Sequence, residues 1–407
     1  MGSGGSAVDP VAVKPLRVLS LATLFPDGTR PNFGLFVEQS LRALAAQPGI
    51  DLTVIAPLGL PPFPMSLHPR YRELGRLPQI EDWHGLTVHR PHFMLIPQLG
   101  AARNPAAIAR ALLPLLQRLH RDQPFDVIDA QFFYPDGPAA MRLADALTLP
   151  FSIKARGSDI SHFGHEPATA SQLREAARKA AGLLAVSAAL RDDMAAIGID
   201  PAKVRVHYTG IDTTRFCPGD RAAARAALAL GEGPLIASVG ALIPRKGQAL
   251  VIEALAALSG VRYALAGAGE SESDYRARAT RLGVADRVHF LGAVANADLP
   301  QLYRAADVVV MPSISEGLAN AWVEALACGT PIVISDAGGA AELVTSDVAG
   351  RIVERTPEAI AAAVRELIAS PRDPIEVAAT LEGRFSWERN GRELAEHLRG
   401  MTGKVER

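Results

Sequence analysis

The sequence predicts an α/β protein made of two open parallel sheets in tandem, each wrapped by crossover helices. Three observations lead there. The chain has 407 residues, 48% of them hydrophobic, which exceeds one ordinary core and is enough for two. Short β-rich runs alternate with Ala-, Leu- and Arg-rich stretches of helical period, the pattern of strand–helix–strand crossovers. The alternation stops and restarts around Pro218 and Gly219, residues that interrupt regular structure.

In the first series, strands are expected at LRVLSLAT (16–23), DLTVIAP (51–57), LTVHRPHF (86–93), FDVIDAQ (125–131), PFSIKA (150–155), GLLAVS (182–187) and KVRVHYT (203–209). The second series runs PLIASVG (234–240), RYALAGAG (262–269), RVHFLG (287–292), DVVVMPS (307–313), PIVISD (331–336) and GRIVE (350–354). Two Rossmann-like domains follow, 15–215 and 216–384, after a leader at 1–14 and before a C-terminal helix, 385–407, expected to cross back to the first domain. Open parallel sheets take ligands at the carboxyl ends of their strands. The expected site is therefore an interdomain cleft. The segment PLGLPPFPMSLHPRYRELGRLP (57–78) is proline-rich and aperiodic, too long for an ordinary connection, and is expected to be a binding loop or flap.

Several classes are excluded. Lys plus Arg number 42 against 43 Asp plus Glu, so no overall field selects nucleic acid or an acidic partner, and any phosphate binding must be local. Two cysteines, Cys217 and Cys328, build neither a disulfide framework nor a Cys-rich zinc site. They point to a reducing, cytoplasmic setting and are expected as small buried hydrophobes. MGSGGSAVDP lacks a signal peptide's apolar core. Through Gly2 and Ser6 it matches the myristoylation pattern formally, but its Gly/Ser composition is that of a flexible leader. No stretch approaches the ~18 apolar residues of a membrane span. His84, His89 and His92, like His162 and His165, have no fixed ligand geometry, and no metal is expected there. RALLPLLQRLHR (110–121) reads as a basic amphipathic helix that either packs on a core with a solvated basic face, the preferred reading, or rests on anionic lipid.

Chemistry concentrates in the second half. In SVGALIPRKGQALVIEAL (238–255) a strand ends in Gly240, a loop carries Arg245 and Lys246, and Gly247 leads into a helix. Cations beside a helix N-terminus make an anion site, although the spacing is not that of a Walker loop. LAGAGESES (265–273) lacks the third glycine of a dinucleotide fingerprint and lies late in its domain, which argues against NAD. SISEGLANAWVEALACGTPIV (313–333) holds Glu316 just before a helix beginning near Ala319 or Asn320, and Glu324 one turn inside it. The amides at 317–320 would face an anion, and two carboxylates could each accept from the hydroxyls of a sugar. Glu316 also suits a helix-capping acid. Glu324 does not, because apolar residues surround it and a buried carboxylate needs a partner.

With these motifs in view, the chain resembles the GT-B-fold retaining glycosyltransferases of family 4 over nearly its whole length. The signature is the E-x7-E spacing of Glu316 and Glu324 within SEGLANAWVEALACGTPIVISDAGGAAELV. It is supported by PRKG (244–247), VRVHYTGIDTTRF (204–216) and GRFSWERNGREL (383–394). FPDGTRPNFGLFVEQSLRAL (25–44), QFFYPDGPAA (131–140) and KARGSDI (154–160) are most similar to bacterial members of the teichuronic acid and exopolysaccharide type.

The resemblance implies that Arg245 and Lys246 hold the donor diphosphate, that Glu324 takes the ribose hydroxyls and that Glu316 contacts the donor sugar. Gly317, Leu318, Ala319 and Asn320 would offer amides to sugar and phosphates. Gly240 and Gly34 stand where the family's glycine loops approach the diphosphate. Arg156 replaces the histidine often found beside the sugar; it is no base at neutral pH and would orient oxygens instead. Thr209 replaces an asparagine. The implied partners are a nucleotide sugar, UDP- or GDP-linked, and a glycan or lipid-linked acceptor, with room for peripheral contact with the inner membrane and no part for nucleic acid. No cofactor and no metal are implied, and the chain has no Asp-x-Asp pair. A nucleotide-sugar sensor that has lost turnover and a nucleotide-sugar 2-epimerase of the same fold are the rival readings.

Overall fold

A computed structural model describes residues 14–96 and 101–403. The expected leader falls, but for its last residue, outside the described residues. The chain divides into two compact units: Met1–Ile153 with Lys179–Gly182 and Gly391–Arg407, and Lys154–Arg178 with Leu183–Asn390.

The strands of the first series are β1 (Leu16–Leu21), β2 (Ile50–Ile55), β3 (Leu58–Leu60), β4 (Ile80–Trp83), β5 (Leu86–His89), β6 (His92–Met94), β7 (Val127–Ala130), β8 (Phe151–Ala155), β9 (Gly182–Ala185) and β10 (Val204–Val206). Eight of them form a sheet in the order β10-β9-β8-β7-β1-β2-β5-β4, and β3 pairs with β6 in a separate two-stranded sheet. The expected strand at 86–93 is cut in two at Arg90 and Pro91, because proline has no N–H to give a ladder. Two strands were not expected. The hairpin partner β4 runs antiparallel to β5. The segment 57–78, read as an aperiodic loop, instead holds β3, a 3₁₀ turn at Met65–Leu67 and a short helix at Pro69–Leu74. Proline hides this order from a periodicity argument while capping the helix at its first position.

The second series folds as β11 (Leu235–Val239), β12 (Arg262–Ala266), β13 (Val288–Gly292), β14 (Val308–Met311), β15 (Ile332–Ser335) and β16 (Gly350–Val353). All run parallel in the order β13-β12-β11-β14-β15-β16. Their near-continuous apolar runs reflect burial on both faces. One face is covered by a core around Trp322, Tyr303 and Leu326, the other by a core around Val251, Tyr275 and Val364. Cys328 lies in the first of these cores, as expected, but Cys217 is only half-buried. The Arg304 guanidinium lies 3.3 Å from its sulfur. The doubly wound order 3-2-1-4-5-6 places the switch point between the first and fourth strands, here β11 and β14. The binding loops should therefore leave the ends of those two strands.

The C-terminal helix spans Trp387–Met401. From Gly391 it belongs to the unit of the N-terminal strands, where a Cβ on Gly391 would meet the Ala43 carbonyl oxygen at 2.1 Å. The His397 Nε2 lies 2.8 Å from the Ser152 hydroxyl. No helix among the described residues is long and apolar enough to cross a membrane.

Candidate functional site

The loops after β11 and β14 are the ones that carry the expected residues. After β11, Pro244–Lys246 forms a 3₁₀ turn that ends at Gly247, φ 76°, the N-cap of the helix Gln248–Leu255. After β14, residues 312–319 lead into the helix Asn320–Ala327, with Ala319 as N-cap. The two loops are tied to each other: the Ile314 amide donates to the Arg245 carbonyl at 2.8 Å, and the Arg245 guanidinium donates to the Ser315 carbonyl. Arg355 donates to the Pro312 carbonyl from the side, at 2.9 Å.

That tie brings the cations onto Glu316. Lys246 Nζ lies 2.5 Å from Glu316 Oε1, and Arg245 Nη1 3.8 Å from Oε2. Lys246 and Glu316 are 15% and 9% exposed against 45% for Arg245, so the lysine–glutamate pair is shielded from water while the arginine faces it. One acid with two cations leaves a single net positive charge. Beside it, among the described residues, the amides of Gly317, Leu318, Ala319 and Asn320 have no protein acceptor. Unspent N–H groups at a helix start, with the helix dipole behind them, favour an anion. Gly240 differs: its amide is used in a 2.9 Å bond to Ala266 O, so it can serve through closeness of backbone but not as a donor.

Glu324 sits one turn further on and is 8% exposed. Among the described residues its one side-chain partner is the Tyr303 hydroxyl, which donates to Oε2 at 2.8 Å. Burial pushes its carboxyl up to about 7, against the opposing pull of the Tyr303 hydrogen bond and the Arg215 charge. Near neutral pH it is poised between acid and carboxylate, able to give or accept a proton in a hydrogen bond.

Arg156 reaches this neighbourhood through its backbone. A Cβ on Gly317 would stand 2.6 Å from the Arg156 carbonyl oxygen, so only glycine permits the approach. The amides of Arg156 and Gly157 both donate to the Asp159 carboxylate, at 3.0 and 2.7 Å to Oδ1. Gly317 O in turn accepts from the Ser187 hydroxyl at 3.1 Å and from the Gly339 amide at 2.8 Å. Gly34 lies in the other unit and caps the helix Leu35–Ala45 at φ 75°. A Cβ there would meet the Leu24 carbonyl at 2.6 Å.

Sequence reasoning missed Tyr303 as the partner of Glu324. The residue lies 21 positions before Glu324, and nothing in that spacing announces the contact. It also missed Glu342, whose carboxylate accepts from the amides of Ala188 and Ala189 at 3.0 and 3.2 Å and from the Tyr208 hydroxyl at 2.8 Å. Among the described residues, no group of three or more His, Cys, Asp and Glu is placed to hold a metal ion.

Comparison with known proteins gives this arrangement its context. TuaC of Bacillus subtilis strain 168, a glycosyltransferase assigned to teichuronic acid biosynthesis, is 27% identical over 400 residues, covering 95% of this chain and 99% of its own. The D-inositol 3-phosphate glycosyltransferase of Mycobacterium bovis is 39% identical over 220 residues, 51% of this chain and 46% of that protein. Among solved structures, sucrose-phosphate synthase of Thermosynechococcus elongatus superposes with a TM-score of 0.77 at 19% identity, over 96% of this chain and all of that one. Anabaena Alr3699/HepE, solved with UDP, gives 0.73 at 23% identity over 95% and 100%. These likenesses carry the fold, two Rossmann-like domains of the GT-B type. The model "Glycosyltransferase Family 4" matches residues 34–215 and the model "Glycosyl transferases group 1" residues 220–392, and the chain belongs to these GT-B glycosyltransferases.

Proposed function

We propose that the chain moves a sugar from a UDP- or GDP-linked donor to a glycan or lipid-linked glycan in surface polysaccharide synthesis, without a metal and with retention at the anomeric carbon. The observation that carries the donor assignment is the pairing of Arg245 and Lys246 with four unspent amides at the ends of the two switch-point strands. A diphosphate brings more negative charge than the Glu316 carboxylate and can share Lys246 with it. The cations and amides then stabilise the charge that develops as the diphosphate leaves, the part Mg²⁺ plays in other transferases. Departure and attack occur on one face of the sugar. Glu324 receives the ribose hydroxyls, Glu316 contacts the donor sugar, and Arg156 orients oxygens near it. Residues 216–384 bind the donor, and 15–215 the acceptor.

The HepE structures with UDP and with UDP-glucose support a uridine donor, and the teichuronic acid assignment of TuaC supports a surface-glycan acceptor. Free thiols at Cys217 and Cys328 fit work in the cytoplasm, at the inner face of the membrane where a lipid-linked acceptor would be met. The test is nucleotide release from a panel of UDP- and GDP-sugars in EDTA, followed by the anomeric proton coupling of any product. Release from one donor family with the donor's anomeric configuration kept is the expected result. Binding without release from any donor would favour a sensor, and inversion would overturn the retaining mechanism.

A further inference from the structure

Exposed large hydrophobic side chains are unevenly spread. Of eight among the described residues, Phe63, Met65, Leu67, Ile80 and Met94 fall within 32 residues of the N-terminal series, while Leu282, Ile314 and Ile375 stand singly. Phe63, Met65 and Leu67 are 78%, 45% and 60% exposed, and Met94 63%. Single exposed apolar residues are ordinary, but a cluster marks an interaction surface.

The cluster rests on an ordered platform. β3 and β6 pair with Leu60 opposite Met94, and the Leu95 amide donates to Leu60 O at 2.9 Å. The turn itself is held by Leu67 N to Pro64 O and His68 N to Met65 O, at 3.0 and 3.1 Å. The helix Pro69–Leu74 anchors through Leu74, 4% exposed, and leaves Arg70, Arg72 and, just past its end, Arg76 in solvent. The helix Asn104–Asp122 packs against β6, and its Arg110 is exposed. Among the described residues none of these four arginines has an ion-pair partner, and Glu73 is the one acid between residues 62 and 78.

We propose that this face docks on an anionic phospholipid bilayer, with Phe63, Met65 and Leu67 seated among the headgroups and Arg70, Arg72, Arg76 and Arg110 against lipid phosphates. An exposed apolar turn followed in the chain by unpaired cations is complementary to such a surface, where apolar burial and electrostatic attraction add. It suits a second copy of the chain poorly, since an isologous contact would set the arginines of one copy against those of the other. The inference deepens the membrane-side reading above but needs neither donor nor acceptor, so it can fail while the transferase reading stands.

The test is co-sedimentation of the full chain with vesicles of phosphatidylcholine alone and of phosphatidylcholine mixed with phosphatidylglycerol. The chain should bind the anionic vesicles and leave the neutral ones, with binding weakened by salt. The joint variant Phe63→Ser, Met65→Ser, Leu67→Ser should lose more than about tenfold in partition. Arg70→Gln, Arg72→Gln, Arg76→Gln together should lose about 100-fold, at roughly a factor of five for each charge. Leu282→Ser with Ile375→Ser should bind as the parent does. An unchanged nucleotide-induced thermal shift in every variant shows that the fold is intact. Failure of the parent to bind anionic vesicles, or equal binding by both joint variants, would overturn the proposal. So would sedimentation of the parent as a dimer that the serine variant disperses, which would make the face a contact between copies.

Discussion

The loop 312–319 and the helix Asn320–Ala327 each carry one glutamate of the same motif, and the two side chains are held by opposite means. Glu316 is paired with cations from another loop: Lys246 at 2.5 Å and Arg245 at 3.8 Å. Among the described residues Glu324 has no cation within ion-pair distance; its partner is a phenol, and burial raises its carboxyl to about 7. The first arrangement suits a place where charge comes and goes, because a neutralised acid beside cations and free amides tolerates an arriving anion. The second suits neutral hydroxyls, for which a desolvated carboxylate is a strong acceptor. The two halves of the motif are about equally shielded, at 9% and 8% exposed, and differ in their partners, cations for Glu316 and a phenol for Glu324, as the two proposed roles require.

The comparison breaks most visibly at Lys246. Lys246→Ala removes the closest cation from Glu316 and, in the proposed role, a cation from the departing diphosphate, and turnover should fall about 10²–10³-fold. A loss below threefold would mean that the loop after β11 does not stabilise the leaving group. Next comes the pH response of Glu324. Its folded value lies above its ordinary one of 4.5, so its contribution to stability is fully present below pH 4.5 and is lost as pH rises through about 7. The amount is about 3 kcal/mol. Denaturant melts of the parent and of Glu324→Gln across that range should show the parent losing this much relative to the variant, and parallel curves would contradict the burial argument.

Glu324→Ala should weaken nucleoside diphosphate binding about 10–100-fold, the worth of one or two hydrogen bonds to a charged acceptor, as read by calorimetry. Tyr303→Phe keeps the ring packing and removes one donor. It should cost about fivefold in the same affinity and move the Glu324 transition upward, since the hydroxyl now holds it down. Smallest of all is the effect of EDTA, which should leave turnover unchanged; a loss restored by Mg²⁺ would return the leaving-group role to a metal.

The same contrast explains what could be read in the sequence. The strand ends, the helix start at Asn320 and the two glutamates were legible, because period, glycine punctuation and local spacing encode them. Every strand expected from β-rich runs has a counterpart, including all six of the C-terminal sheet. The Lys246–Glu316 pair spans 70 residues and the Tyr303–Glu324 pair 21, and such pairings are set by sheet order, which no local pattern carries. β3 and β4 escaped for a different reason: they are three and four residues long, beside prolines and glycines that mask alternation. Cys217 was expected to be buried from residue type alone, but the turn beginning at Asp212 leaves it half-exposed beside Arg304.

The most direct test of the two-glutamate account is a calorimetric titration, in EDTA, of UDP, GDP and the matching nucleosides into the parent, Lys246→Ala and Glu324→Ala. The account predicts that the parent binds one diphosphate, that Lys246→Ala loses affinity for the diphosphate but not for its nucleoside, and that Glu324→Ala loses affinity for both. Diphosphate binding by both variants equal to that of the parent would contradict it.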